Sequence, residues 1–120
     1  VSFEGTLTGA ALVACLNRHN IIAVPSWYEE PFGIVALEGL ACGCFPVVSE
    51  RGGLSDATGG YGLTFPNGDA EALAHCLVQA LADPDWTRAQ LDGVEAHLAR
   101  CRARAVAERY LEVFEQECRR

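Results

Sequence analysis

Apolar residues recur along the chain in two alternating rhythms. Short unbroken runs, Ile21-Ile22-Ala23-Val24 and Pro46-Val47-Val48, are bounded by Pro, Ser and Gly, as strands covered on both faces are. With Val1-Ser2-Phe3-Glu4 and Gly62-Leu63-Thr64-Phe65 they predict strands over residues 1–4, 21–25, 46–49 and 62–65. Elsewhere the apolar positions fall three and four apart, which predicts helices over residues 8–18, 33–42, 69–82, 86–100 and 102–116. Asp69 stands as an N-cap with Glu71 in the first turn, and Asp83-Pro84-Asp85 ends one helix and starts the next. Gly52-Gly53 and Gly59-Gly60 punctuate turns. Strand and helix in alternation predict an α/β fold, a Rossmann-like parallel sheet with flanking helices.

Two segments at the ends carry sharper expectations. A doubly wound order of 3-2-1-4-5-6 sets residues 1–4 apart from residues 21–25. Left unpaired, that strand exposes its backbone groups, which is unfavourable. Two outcomes follow: parallel pairing with residues 21–25 through a right-handed crossover, or pairing with another chain. Intrachain pairing is favoured because closing a short connection costs less entropy. In the final helix Val106, Tyr110, Val113 and Phe114 form a stripe of period near 3.6. Either it packs on the domain's own sheet, or it lacks cover and favours self-association.

The most informative stretch runs from Ser26 to Gly43. Glu30 and Glu38 flank a Gly-led helix start that follows the strand at residues 21–25. Ile34, Val35, Ala36, Leu37, Leu40 and Ala41 cover most directions of that helix, which predicts burial all round. A carboxylate there is costly unless hydrogen-bonded, and no Lys or Arg lies at i±3 or i±4 from Glu38. A ligand is one candidate partner and a distant Arg is the other. A helix N-terminus offers free N–H groups and a positive dipole end, so it attracts phosphate without a cationic side chain. Phe32, Gly33, Ile34 and Val35 present those amides, with Gly33 leaving room for close approach. Glu38 lies about 7 Å further along at ~1.5 Å per residue, a fitting separation between a diphosphate and its ribose diol. Glu30 precedes the helix, where a sugar on the distal phosphate lies; its plainer role is to favour the dipole. Gly52-Gly53 reads equally as a second phosphate-facing loop or as an ordinary turn, with Arg51 as the nearby cation.

Glu30-Pro31-Phe32-Gly33 through Glu38 resembles the Glu-x7-Glu motif of the retaining family 4 glycosyltransferases, which have the GT-B architecture. Similarity extends to Val1-Ser2-Phe3-Glu4-Gly5, to Val24-Pro25-Ser26, to Gly52-Gly53-Leu54 and to Pro66-Asn67-Gly68-Asp69. Phe45-Pro46 and Asp56 depart from the usual pattern, away from the presumed chemistry. The resemblance implies that residues 1–120 are most of a C-terminal, nucleotide-sugar-binding domain, lacking its first βαβ unit and the upstream acceptor domain. It implies that Glu30 contacts donor-sugar hydroxyls as the catalytic candidate. Phe32, Gly33, Ile34 and Val35 line the sugar and diphosphate, Glu38 holds the ribose, and Thr6 and Leu7 lie near the base. The implied activity is transfer of a glycosyl group from a nucleotide-diphosphate sugar to an acceptor hydroxyl with retention, without a metal or other cofactor. A non-catalytic nucleotide-sugar-binding module, or another GT-B enzyme such as an epimerase or phosphorylase, is the alternative. An epimerase wants catalytic His and acid residues that are not found here.

Composition narrows the partners. The chain has 120 residues, enough for one domain with a modest core. Its 9 basic and 16 acidic residues give a formal net charge of −7, which argues against nucleic acid. Half the residues are apolar, yet no run reaches the ~18 that a membrane span requires. Val1-Ser2-Phe3 reads as the interior of a longer protein and not as a signal peptide. Six cysteines include one Cys-x-Cys and no Cys-x2-Cys, and the histidines do not pair at ligand spacing, so zinc-ribbon geometry is not indicated. Cys15, Cys42 and Cys76 fall among apolar residues as small core side chains do, and a reducing cytoplasm is the expected compartment.

Overall fold

The computed structural model describes residues 1–119. Elements follow one another as α1 (Gly9–Leu16), β1 (Ile21–Val24), α2 (Ile34–Ala41), β2 (Phe45–Ser49), α3 (Leu54–Thr58), β3 (Leu63–Phe65), α4 (Ala70–Ala82), α5 (Pro84–Ala89), α6 (Val94–Arg100) and α7 (Ala103–Cys118). The strands form a parallel sheet in the order β1-β2-β3, with Ile21 opposite Phe45 and Val47 opposite Leu63. β2 lies in the centre and is buried along its whole length. Its alternate side chains feed two cores. Val48 joins Val24, Ala36 and Leu54 on the face covered by α2 and α3. Phe45 and Val47 join Phe65 and Ala80 on the face covered by α4, where the Trp86 ring of α5 packs at a tilt, 5.6 Å from that of Phe45. Helices on both faces of a parallel sheet are the Rossmann-like arrangement that the alternating pattern predicts.

Pro46 is tolerated inside the central strand because of where the ladder begins. Phe45 donates its N–H to Asn20 O at 2.8 Å, so the nitrogen of Pro46 faces away from β1. On that other side pairing with β3 starts only at Val47, and no N–H is needed at Pro46. Asp69 accepts from Ala72 N–H at 2.9 Å as the N-cap of α4, and Asp83 caps α5 with Pro84 in its first turn.

Four sequence expectations are corrected. Residues 1–4 form no strand, and β1 pairs within the chain with β2 alone. Gly5 and Gly9 take left-handed φ values of 68° and 54°, so the chain turns before α1 instead of running beside β1. The helix predicted over residues 86–100 is broken at Gly93 (φ 82°) into α5 and α6. The short helix α3, between two pairs of glycines, has no counterpart in the prediction. Finally, α2 is not buried all round: Ala36, Gly39 and Leu40 face inward, while Ile34 is 64% exposed and Val35 45%.

The stripe on α7 is uncovered on this domain: Tyr110, Val113 and Phe114 are all more than half exposed. The molecule is elongated, 54 × 31 × 30 Å, with a radius of gyration of 16.1 Å against about 14 Å for a compact chain of this length. The cysteines are free, and Cys44 is the buried one, with Cys15, Cys42 and Cys76 partly covered. Burial pushes the Cys44 thiol above its ordinary pKa, with a smaller contribution from Cys42. Its Sγ donates toward the carbonyls of Leu16 and His19 at 3.4 and 3.3 Å, tying the end of α1 to β2.

α2 approaches β1 through Gly39, where an added Cβ would lie 2.5 Å from Ile22 Cδ1 and 3.1 Å from its Cβ. Gly39→Ala therefore overpacks the α2–β1 contact and is expected to lower stability by about 1–3 kcal/mol despite alanine's better helix propensity. Urea unfolding checks this; an unchanged or higher midpoint contradicts the close packing.

Candidate functional site

The loops that leave the C-terminal ends of the three strands meet over the sheet, where ligands of open α/β sheets collect. Asn67, half-buried in the loop after β3, ties all of them together. Its Nδ2 donates to Ser26 O at 3.0 Å and to Tyr28 O at 3.3 Å in the loop after β1. Its Oδ1 accepts from the Arg51 N–H at 3.0 Å in the loop after β2. Ser49, fully buried at the end of β2, donates to Ser26 O at 2.9 Å, with Val24 O at 3.4 Å beside it. These links serve buried or half-buried polar groups that would otherwise go unpaired, so each fixes loop position as well as energy.

Glu30 is held through its backbone and its side chain. It forms a parallel bridge with Gly52, and its carbonyl accepts from Gly53 N–H at 2.6 Å. Gly52 has φ 87°, and a Cβ there would come within 2.5 Å of Glu30 O. On Gly53 a Cβ would lie 2.7 Å from the Pro31 carbonyl carbon and 2.8 Å from Phe32 Cα. Gly52-Gly53 is thus the dock for residues 29–32, and its close approach is to protein backbone. The Glu30 carboxylate accepts from Ser26 Oγ at 3.2 Å. It also lies beside the Tyr28 hydroxyl, whose pKa is raised by hydrogen bonding to Glu30 first, then by the charge of that carboxylate.

Gly33 takes φ 86° and ψ 64° as the N-cap of α2, a conformation that favours glycine. A Cβ on it would collide with Leu54 of α3 and sit 3.4 Å from Glu30 Cγ. The room left by its missing side chain, expected to admit a ligand, is therefore filled by Leu54. Beyond it, Ala36 and Leu37 donate to Gly33 O at 3.0 and 3.5 Å. Among the described residues, the N–H groups of Phe32, Gly33, Ile34 and Val35 have no acceptor, as the open end of a helix leaves them. Glu38 is exposed on the second turn, without an ion pair among the described residues. Arg51, the cation beside Gly52-Gly53, is not paired with it. Thr6 and Leu7 lie in the segment before α1, tied to residues 26–33 by no hydrogen bond or ion pair.

The structure therefore brings together Glu30, Phe32, Gly33, Ile34 and Val35 around one helix start, with Glu38 one turn on. Sequence reasoning missed Asn67, Ser49 and Leu54. Asn67 had a signal, an Asn beside Gly-Asp directly after a strand; Leu54 had none, because its helix is only five residues long. A cavity of about 570 Å³ lies on the other side of α2, lined by Leu37, His97, Arg100, Cys101 and Tyr110, and shares only Phe32 with the predicted site. Buried His97 closes its back, with Nε2 2.8 Å from Ala57 O.

A parallel sheet with helices on both faces, whose C-terminal rim carries a Glu-Pro-Phe-Gly helix start, defines a Rossmann-like α/β domain, and comparison with known proteins specifies it. Residues 1–83 match the family model described as glycosyl transferases group 1, and the chain belongs to that family. It is 36% identical over 107 residues to the D-inositol 3-phosphate glycosyltransferase of Corynebacterium jeikeium, covering 88% of this chain and 25% of that protein. It is 40% identical over 84 residues to the glycogen synthase of Mycobacterium tuberculosis, covering 68% of this chain and 20% of that protein. Sucrose-phosphate synthase from Thermosynechococcus elongatus superposes with a TM-score of 0.79 at 36% identity, over 96% of this chain and 29% of that one. The chain thus spans about a quarter of the length of the relatives it matches. Its fold is that of a C-terminal GT-B fragment.

Glu30→Gln removes the charge that holds the Tyr28 proton while preserving shape. The Tyr28 pKa is then expected to fall toward its ordinary value, so tyrosinate absorbance develops at lower pH. Ultraviolet titration of the two proteins checks this, and superimposable curves would separate Tyr28 from Glu30.

Proposed function

We propose that this chain is the donor-binding part of a glycosyltransferase that takes its glycosyl group from a nucleotide-diphosphate sugar and transfers it with retention. The observation that carries the reading is the open start of α2, whose free N–H groups follow Glu30 directly and lie one turn before Glu38. The diphosphate sits at that start, where the helix dipole and the amides of Phe32 to Val35 offset its charge. This matters in a chain of net charge −7, since a cationic pocket is not needed to hold an anion there. Glu38 accepts from the ribose diol, and Glu30, already oriented by Ser26, accepts from hydroxyls of the donor sugar.

The transition state is oxocarbenium-like, with negative charge growing on the departing diphosphate. Fixed amides aimed at that charge lower the barrier without reorganising, and a docked Glu30 loop keeps the sugar in place. The acceptor is supplied from an upstream domain of the whole protein. The uncovered stripe on α7 and the outer edge of β1 are the surfaces on which that upstream part is placed, and self-association occupies them when it is missing. The names of the relatives support a sugar as the transferred group.

Calorimetric titration with UDP, GDP and ADP tests the nucleotide site on this chain. One of them is expected to bind weakly, and Glu38→Ala is expected to weaken it by ~1–3 kcal/mol, the range for a hydrogen bond to a charged group. Equal affinity in both proteins would remove Glu38 from the site. In the whole enzyme, Glu30→Ala is expected to lower turnover with the cognate donor more than it lowers nucleotide affinity. A mutant with the wild-type rate would exclude Glu30 as a sugar contact.

A further inference from the structure

Two aromatic side chains stand open to solvent directly before Glu30. Trp27 is 83% exposed and Tyr28 64%. An indole left in water forgoes a large apolar burial, and a flexible loop would be free to fold it inward. Here the loop is not free. Asn67 Nδ2 grips the carbonyls of Ser26 and Tyr28, the residues on either side of Trp27, so that residue 27 is presented outward. The indole leans over Gly68, where an added Cβ would come within 3.3 Å of ring atom Cζ3 and 3.5 Å of Cε3. A cavity of about 110 Å³ beside it is lined by Pro25, Phe65, Asp69 and Leu73. The ring is thus seated along one edge and open elsewhere, with the Tyr28 hydroxyl beside the Glu30 carboxylate.

We propose that Trp27, with Tyr28 beside it, is a carbohydrate-stacking platform: the open indole takes the apolar C–H face of a neutral hexopyranose, and the neighbouring carboxylates take its hydroxyls. The chemistry selects this ligand. Axial C–H groups of a pyranose carry slight positive charge and pack against the negative face of an aromatic ring. Glu30 lies beside the Tyr28 hydroxyl and Asp69 lines the same cavity as Trp27, and carboxylates accept from sugar hydroxyls. A few fixed polar groups around an apolar surface are what a small polyhydroxyl ligand needs. The ring lies toward Gly68 and α4, on the far side of Tyr28 from Glu30 in the chain, so it extends the site instead of repeating the Glu30 contact. The inference rests on the glycosyl-transfer reading for its class of ligand. The hexose comes either from the donor or from an acceptor glycoside, and the experiment separates them.

The chain has two tryptophans, so Trp86→Phe leaves Trp27 as the sole indole reporter. Phenylalanine keeps an aromatic contact with Phe45, and 5-fluorotryptophan labelling of the wild-type chain resolves both indoles by fluorine NMR without that substitution. The probes are methyl α-D-glucopyranoside, methyl α-D-mannopyranoside, the bare nucleotides UDP, GDP and ADP, and the matching nucleotide-glucose and nucleotide-mannose. The Trp27 signal is expected to shift saturably with a hexoside in the millimolar range, and Trp27→Ala is expected to abolish calorimetric binding of that hexoside. A donor origin is marked by Trp27→Ala weakening a nucleotide-sugar about fivefold or more while leaving its bare nucleotide unchanged. Loss of the free hexoside alone marks an acceptor. The proposal is overturned if the Trp27 signal stays fixed with every sugar up to roughly 100 mM, or if Trp27→Ala binds all sugars as wild type does. Failure of the bare nucleotides to bind bears on the nucleotide site alone, because the hexosides carry no nucleotide.

Discussion

The Glu-Pro-Phe-Gly loop depends on a contact between backbones. Residues 29–32 lie so close to Gly52 and Gly53 that a single Cβ at either glycine would overlap main-chain atoms. That contact lets Gly53 reach Glu30 O and lets Leu54, the next residue, fill the space beside Gly33. Gly33 then holds its left-handed turn and α2 starts where it does. Remove the approach of the two loops and the bridge, the Leu54 contact and the direction of the first α2 amides are lost together. Stability and site geometry are coupled here because the same atoms serve both.

This coupling explains why the polar links cluster as they do. Asn67 and Ser49 both spend hydrogen bonds on Ser26 O, and each reaches it from a different strand end. In a parallel sheet, neighbouring strands present their C-terminal ends on one side, so short polar residues just past those ends meet without long excursions. Ser26 in turn donates its hydroxyl to Glu30, which carries the constraint from the sheet into that carboxylate. The aromatic residues Trp27 and Tyr28 sit between these anchored points. Their exposure is therefore a property of a fixed loop and not of a loose one.

Legibility in the sequence followed the range of the interaction that decides each feature. β1, β2, β3, α2 and α4 were readable because unbroken apolar runs, Asp69 and the Gly-led start are local signals. So was the grouping of Glu30 with Phe32 through Val35, which adjacency in the chain nearly guarantees. Residues 1–4 were not: Val1 and Phe3 alternate like a strand, but a strand needs a partner, and the left-handed Gly5 turns the chain away. The break at Gly93 was hidden because an isolated glycine is tolerated in a helical pattern until its φ is known. Asn67, Gly53 and Leu54 reach the site across 16 to 41 positions of sequence and leave no periodic trace. The burial expected for α2 failed for a related reason. Apolarity shows that a face can be covered, while coverage depends on which elements are near, and on this domain only the Ala36-Gly39-Leu40 face meets the sheet.

Ile34 and Val35 on α2, Phe32 before it, and Tyr110, Val113 and Phe114 on α7 are all exposed, whereas the loops after β2 and β3 rest on the fully buried Ser49 and Phe65. Apolar surface that remains open contributes nothing to the stability of this domain, so its rigidity must come from the β2-centred cores and the loop contacts above them. Those contacts hold Glu30 and the α2 start without help from the open faces. A wall held in this way is already shaped, so any surface that came to cover the open faces would add apolar burial without first having to order the wall. Glu38 belongs to the same logic. It is exposed and unpaired among the described residues, so its carboxylate is free to accept a hydrogen bond with no internal ion pair to break.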